Sequence, residues 1–487
     1  MSQPVRAEPT RRSTDRPPLQ TPARRTDPTP LRRRRPQLLW VILAIAAALR
    51  VVGLEHAPPP LNQDEASRAY DAWCLLETGA DRHGRPWPFF LESFGPGDYT
   101  AALSVYLTVP FVALLGPSVT AVRLPDALLG VATIALLYAW WRRQADGTTA
   151  ILAATVLALD PWHIALSRTA HESGFAPFFL VAALMGLCFA GLLPEAEANS
   201  KPSRGRVGGR AAWASFAGVM LAMHTWIYPA TRLFTPVFVL IMAALYARPW
   251  IAQGGDPIRE PPPADGVAKP SETQTGRRRR ATRPVVVAAV LGLALGAAPL
   301  WLTAWRHPDR LAARSNATLL IHQDLSWGGR MAAFFRNYAA NLDPRYQFLQ
   351  ADEMSGASIP GVGQHLVVLA PLWLIGLIRI LADLRQKRSA RLLLAWLLLY
   401  PLPAAVCSDW NPHPMRTVAG LALFPIITAI GARGLIGRLA GRSRRVRRIA
   451  TATMGLALAA NVAHFCDAYF RRFPPAAEGG YQTDLVR

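Results

Sequence analysis

Adjacent carboxylates at Asp64 and Glu65 open the most reactive stretch of this sequence, PPPLNQDEASRAYDAW (58–73). A carboxylate within reach of a hydroxyl can take its proton as the oxygen attacks. The competing role is structural. DEASRAYDAWCLLETG reads as a short amphipathic helix with Ala69, Trp73 and Leu76 on one face and Gly79 as its stop. Acids in its first turn favour the helix dipole, and Asp64 stands four residues before Arg68. A second cluster, HIALSRTAHESGFAP (163–177), gathers His163, Arg168, His171 and Glu172. Two further stretches, HTWIYPATR (224–232) and SDWNPHPMR (408–416), each end in an arginine, Arg232 and Arg416. A guanidinium fork matches a phosphate, although an anchoring role beside Trp226 or Trp410 is the alternative. Asp64, Glu65, His171, Glu172 and His413 could also converge on a divalent metal, with His171 and His413 as the imidazole candidates, but no ligand spacing selects them.

The elements that must position these groups are apolar. Of 487 residues 51% are hydrophobic and only 17% charged, with a mean hydropathy of +0.18. Long Leu/Ala/Val runs without alternation recur from residue 36 to residue 467. Lipid demands internally satisfied backbone, so an all-α polytopic membrane protein is expected. The expected spans are 36–54, 121–141, 148–164, 174–193, 211–227, 232–248, 284–305, 364–381, 391–407, 417–433 and 449–467, about eleven in all. The net charge of +22 does not point to nucleic acid, because the Arg clusters at 32–35, 142–143, 277–280, 385–388 and 442–448 sit at the ends of apolar runs. Cys74, Cys188, Cys407 and Cys466 show no zinc spacing.

Charge also settles the reading of GDYTAALSVYLTVPFVALLG. If residues 98–116 do not cross, the basic loops share one side with the Arg-rich N terminus. They are therefore read as a juxtamembrane helix at the outer interface or dipping into it. The expected organisation is a disordered basic tail (1–35), a membrane domain (36–467) and a short outer tail (468–487). Outer loops fall at 55–120, which carries the acidic pair, and at 306–363; a disordered Pro- and Arg-rich inner loop falls at 249–283. All four polar clusters then lie on the outer face.

This arrangement resembles the integral-membrane glycosyltransferases of the C superfamily. It is most similar to bacterial relatives of protein O-mannosyltransferase and of lipid A aminoarabinose transferase. LNQDEASRAYDAWCLLETG resembles the family's acidic first loop. GDYTAALSVYLTVPFVALLGPSVTAVRLPDALLG resembles its juxtamembrane helix and second span. LALDPWHIALSRTAHESGFAPFF resembles its next outer junction. The likeness covers roughly residues 36–435. It implies a polyprenyl-phosphate-linked sugar as donor and a lipid, glycan or protein hydroxyl as acceptor. It implies Asp64 as catalytic base, Glu65 as its neighbouring acid and Glu172 as the second acid, supporting the acceptor or a metal. Arg168, Arg232 and Arg416 are the donor-phosphate candidates by their place in the topology. The aminoarabinose branch carries a Lys before the juxtamembrane helix, whereas SFGPGDY (93–99) has none. The expected site is the outer face of a bacterial cytoplasmic membrane, with the N terminus inside.

Attack by one activated hydroxyl on an anomeric carbon implies inversion, with a lipid phosphate leaving. The main alternative is a transporter or flippase of a lipid-linked sugar. Polar residues gathered at span ends rather than in repeats at mid-membrane favour the enzyme.

Overall fold

The computed structural model describes residues 30–59, 61–93, 98–193, 207–246, 272–350, 359 and 361–477. The described residues are mostly helical. Helix α1 spans Pro30–Val51, α2 Gln63–Thr78, α3 Leu103–Leu115, α4 Val119–Gln144, α5 Gly147–Leu159 and α6 Pro161–Arg168. Then follow α7 (Ala176–Phe189), α8 (Val207–Ile227), α9 (Pro229–Tyr246), α10 (Glu272–Gly296), α11 (Ala298–Arg306), α12 (Pro308–Thr318), α13 (Trp327–Leu342) and α14 (Pro344–Phe348). The last are α15 (Ala370–Asp383), α16 (Arg388–Leu399), α17 (Leu402–Ala405), α18 (Leu423–Ala440), α19 (Arg444–Asp467) and α20 (Phe473–Ala477). Strands β1 (Phe90–Glu92) and β2 (Tyr99–Ala101) form one antiparallel hairpin, with Leu91 opposite Thr100.

Five helices among the described residues are long and apolar enough to cross a membrane, or up to seven if each bent pair is one span. The eleven expected spans are thus met only in part. Residues 148–164 were read as one span, but α5 and α6 meet at 55°. Asp160 ends the first helix and accepts the His163 amide to start the second, and Pro161 lacks the N–H needed to continue. Residues 284–305 are likewise split, with α10 and α11 at 47°. Helix α3 has 13 residues, about 20 Å, against a hydrocarbon core of about 30 Å. It packs Val105 and Val112 against Ala72 and Leu75 of α2 and Ala121 of α4.

Two expected disordered stretches are partly helical, since 30–35 begins α1 and 272–283 begins α10, and the first part of the expected outer tail, 468–477, continues helically beyond α19. The rest of those tails and of the 249–283 loop lies outside the described residues.

The core is a seam of large side chains between α1, α4, α5, α7, α9, α16 and α18, including Ile42, Ile134, Leu157, Phe179, Phe238, Trp396 and Ile427. Apolar lipid offers little drive for helix association, so close packing carries it. At Gly431 of α18 an added Cβ would lie 1.8 Å from the Leu372 carbonyl oxygen of α15. At Gly292 of α10 it would lie 2.2 Å from the Ser215 carbonyl oxygen of α8. Only glycine lets these backbones meet.

Candidate active site

Helix α2 starts on Asn62, whose side chain accepts the Glu65 amide while the Glu65 carboxylate accepts the Asn62 amide. This capping box satisfies two of the amides a helix start leaves open. Gly79 closes the helix in the left-handed region at φ +70°, as the sequence indicated. The buried face differs from the expected one. Glu65, Arg68, Ala72 and Leu75 face inward, while Trp73 and Leu76 are exposed. Ion pairs explain the rotation.

Glu65 is fully buried and bidentate with Arg123 of α4: Arg123 Nε donates to Oε1 and Nη2 to Oε2, both at 2.8 Å. Glu65 Oε1 also accepts the Ala170 amide at 2.8 Å. Burial alone would raise the Glu65 pKa. The charge and hydrogen bonds of Arg123, with the Ala170 and Asn62 amides, outweigh it and hold the carboxyl below its ordinary value. Arg123 further donates to the carbonyls of Leu54 (2.8 Å), Pro58 (3.1 Å) and Pro59 (2.8 Å). One turn along, Arg68 pairs with Asp126 of α4 at 2.9 Å, not with Asp64. Its Nε donates to the Thr108 hydroxyl at 2.9 Å. Asp64 sits beside Glu65 but is exposed.

Arg168 is also fully buried. Its Nε donates to Ala57, Nη1 to Leu49 and Val52, and Nη2 to Gly53 and Ala57, so all five N–H groups meet carbonyls at the end of α1 and just beyond. A helix end leaves its last carbonyls open, and Arg168 closes them. Its guanidinium also lies 4.8 Å from the Phe470 ring centre. The expected phosphate candidate Arg168 thus has every N–H engaged by the chain leading to Asp64.

The segment pinned by Glu65 leads to the rest of the cluster. His171 and Glu172 follow Ala170, are largely buried, and bring Nε2 and Oε2 to 3.8 Å. His171 Nδ1 accepts the Ser173 amide at 3.1 Å, and its ring meets Tyr228 edge-on at 5.6 Å between centres. Tyr228 lines a cavity of about 610 Å³. Arg232, Arg330 and Arg416 share that lining with apolar walls that include Leu233, Trp327 and Phe334. The carboxylate of Asp409 takes both terminal nitrogens of Arg416. Burial pulls against ionisation at Asp409, but the Arg416 hydrogen bonds and charge prevail and hold the carboxyl low. Arg330 Nη2 donates to the Gln323 carbonyl at 3.0 Å.

His413 lies on the Arg416 loop, with its backbone amide on Asn341 Oδ1 at 3.0 Å. Among the described residues no group of three or more His, Cys, Asp or Glu is placed to hold a metal ion. None of the four cysteines, all of them described, forms a disulfide.

Sequence reasoning missed Arg123, Asp126 and Arg330. The first two carried a usable signal, an Arg and an Asp three residues apart in an apolar run, where buried charge is costly. Arg330 had only its place in the aromatic stretch WGGRMAAFF.

Residues 100–194 match the model of the dolichyl-phosphate-mannose-protein mannosyltransferase family. No curated protein sequence matches the chain. Among solved structures, the chain is similar to ArnT from Cupriavidus metallidurans bound to undecaprenyl phosphate. The TM-score is 0.53 at 12% identity, over 92% of this chain and 77% of that one. It is also similar to the oligosaccharyltransferase AglB from Archaeoglobus fulgidus in complex with an inhibitory peptide and a dolichol-phosphate. There the TM-score is 0.52 at 12% identity, over 90% of this chain and 56% of that one. The same archaeal enzyme tethered to an acceptor peptide gives 0.53 at 13% identity, over 90% and 55%. The chain thus spans little more than half the archaeal enzyme's length.

Proposed function

We propose, from a chain that has the fold of the integral-membrane glycosyltransferases of the C superfamily, that it moves a sugar from a polyprenyl-phosphate donor to a hydroxyl acceptor. The observation that carries the reading is the cavity where Arg232, Arg330 and Arg416 meet apolar walls. A glycosyl phospholipid has this dual character, an anionic head on an apolar tail. The cavity connects to the acidic segment through Tyr228, His171 and Ala170.

In this reading the acceptor O–H gives its proton to the Asp64 carboxylate while its oxygen bonds to the anomeric carbon. The bond from that carbon to the phosphate oxygen breaks, and its electron pair leaves on the polyprenyl phosphate. The arginines hold the charge that develops there. Attack opposite the leaving group inverts the anomeric centre. Glu172, beside His171, orients the acceptor. Glu65 and Arg168 hold the scaffold and do not touch substrate. For a divalent metal, His171 and Glu172 are the paired ligand candidates and His413 the remaining imidazole candidate.

The eleven-span topology belongs to the same proposal. It counts α1, α4, α5 with α6, α7, α8, α9, α10 with α11, α15, α16, α18 and α19, and keeps α3 at the interface. The N terminus is then cytoplasmic and the cavity faces outward.

The transporter or flippase reading has one supporting observation, the two bent helix pairs, since broken spans are common in transporters. Protein in lipid nanodiscs with labelled polyprenyl-phosphate monosaccharides and envelope acceptors separates the two. The enzyme releases polyprenyl phosphate from one donor, and Arg330→Lys raises KM for it roughly 10- to 100-fold, the worth of a charge-assisted hydrogen bond. Donor crossing between leaflets without sugar release would replace this reading with the transporter.

A further inference from the structure

Two buried ion pairs stand one helical turn apart between α2 and α4, and their polarity is crossed. Helix α2 contributes Glu65 and then Arg68; α4 contributes Arg123 and then Asp126. The spacing is three residues on both helices, so each pair is one rung of a short ladder. A slip by one rung would set Glu65 against Asp126 or Arg68 against Arg123, burying like charges. The order of signs therefore admits one register.

The ladder also grips the segment that carries Glu172, on both sides. Before it, the Ala170 amide is held by Glu65 at 2.8 Å. After it, Gly174 lies against Asp126, so close that an added Cβ would be 2.7 Å from Oδ1 and 3.2 Å from the Leu166 carbonyl oxygen. Phe175 lies under the Arg68 guanidinium, 4.7 Å from ring centre to Cζ. Asp64 belongs to the same helical turn as Glu65 and Arg68.

We propose that the Glu65–Arg123 and Arg68–Asp126 ladder is a register key that fixes the position of Glu172 relative to Asp64, with Arg68, Asp126 and Gly174 as positioning residues for the transfer step. The proposal rests on the reading of Asp64 and Glu172 as the groups that meet the acceptor. None of the three positioning residues lines the arginine cavity, so donor binding and positioning should separate.

The test uses full-length protein in nanodiscs and the variants Asp126→Asn, Gly174→Ala and the rung exchange Arg68→Glu with Asp126→Arg. Hydrogen exchange of the 169–175 backbone reads the geometry without any substrate. Steady-state kinetics with the donor identified above read kcat and KM apart. The expected result is exchange at 169–175 at least tenfold faster in Asp126→Asn and Gly174→Ala. Their kcat should fall 10- to 100-fold with donor KM within about twofold. The rung exchange keeps both rungs paired but leaves each helix with a single sign, so a slipped register becomes allowed and exchange at 169–175 should stay fast; slow exchange in it would overturn the key. Unchanged exchange in folded Asp126→Asn would overturn the key. Faster exchange with unaltered kcat would overturn its catalytic consequence, and so would parallel losses in kcat and donor binding. If the unaltered protein turns over no donor, the transferase reading fails, while the exchange data still decide whether the ladder sets the register.

Discussion

Asp64 and Glu65 are neighbours with opposite surroundings, and that contrast divides their roles. The Glu65 side chain points into protein and meets Arg123; Asp64 faces out from the same turn. Replacing Glu65 by Gln strands a buried guanidinium, so thermal unfolding should show a loss of about 3–5 kcal/mol. Asp64→Asn, at an exposed position, should stay within about 0.5 kcal/mol. The Glu65 carboxyl also carries a pH signature. Its pKa is held below the ordinary 4.5, so the unfolded chain takes up the proton more readily. Its stabilising contribution is complete above that value and is lost as pH falls through the lower folded value. Acid titration of Tm should therefore show a decline below about pH 4.5 that Glu65→Gln lacks. At this scale the sequence was half legible. It exposed the acidic pair and the outer arginines by type and context. It could not tell which carboxylate was buried or that Arg168 would close carbonyls, because both depend on partners 58 and more than 100 residues away.

Helices and their junctions were more readable. Asn62, Gly79 and the break at Asp160–Pro161 all follow local rules, but of the three only Gly79 is among the expectations drawn from the sequence. The break was overlooked because hydropathy runs on through 148–164 while backbone geometry does not. The exposed face of α2 was misjudged for a related reason. Apolar periodicity marks Ala69, Trp73 and Leu76, but two ion pairs to α4 fix the helix by its charged side. Glycine contacts give this scale its prediction. Gly431→Ala would drive a methyl into the Leu372 carbonyl, so α15 and α18 must separate, at a cost of about 1–3 kcal/mol or more. On the same helix a Cβ at Gly437 meets only the Arg433 side chain at 3.9 Å. Gly437→Ala should be neutral or stabilise by about 0.5–1 kcal/mol through helix propensity. Unfolding of the two variants in detergent compares them directly.

The whole molecule brings together segments far apart in sequence. The first loop, the α6–α7 junction, the start of α9, helix α13 and the loop before α18 are joined in one chain of contacts. Membrane class was legible from composition, because lipid forces long apolar runs. The cavity was not legible, since it arises from the packing of α9, α12, α13 and α17 around a space. The central claim is that Asp64 removes the acceptor proton. Single-turnover transfer from a saturating polyprenyl-phosphate sugar by wild-type protein and Asp64→Asn tests it most directly. The account predicts that Asp64→Asn binds donor with unchanged affinity and transfers sugar about 10²- to 10⁴-fold more slowly. Transfer at the wild-type rate by a folded, donor-loaded Asp64→Asn protein would contradict it.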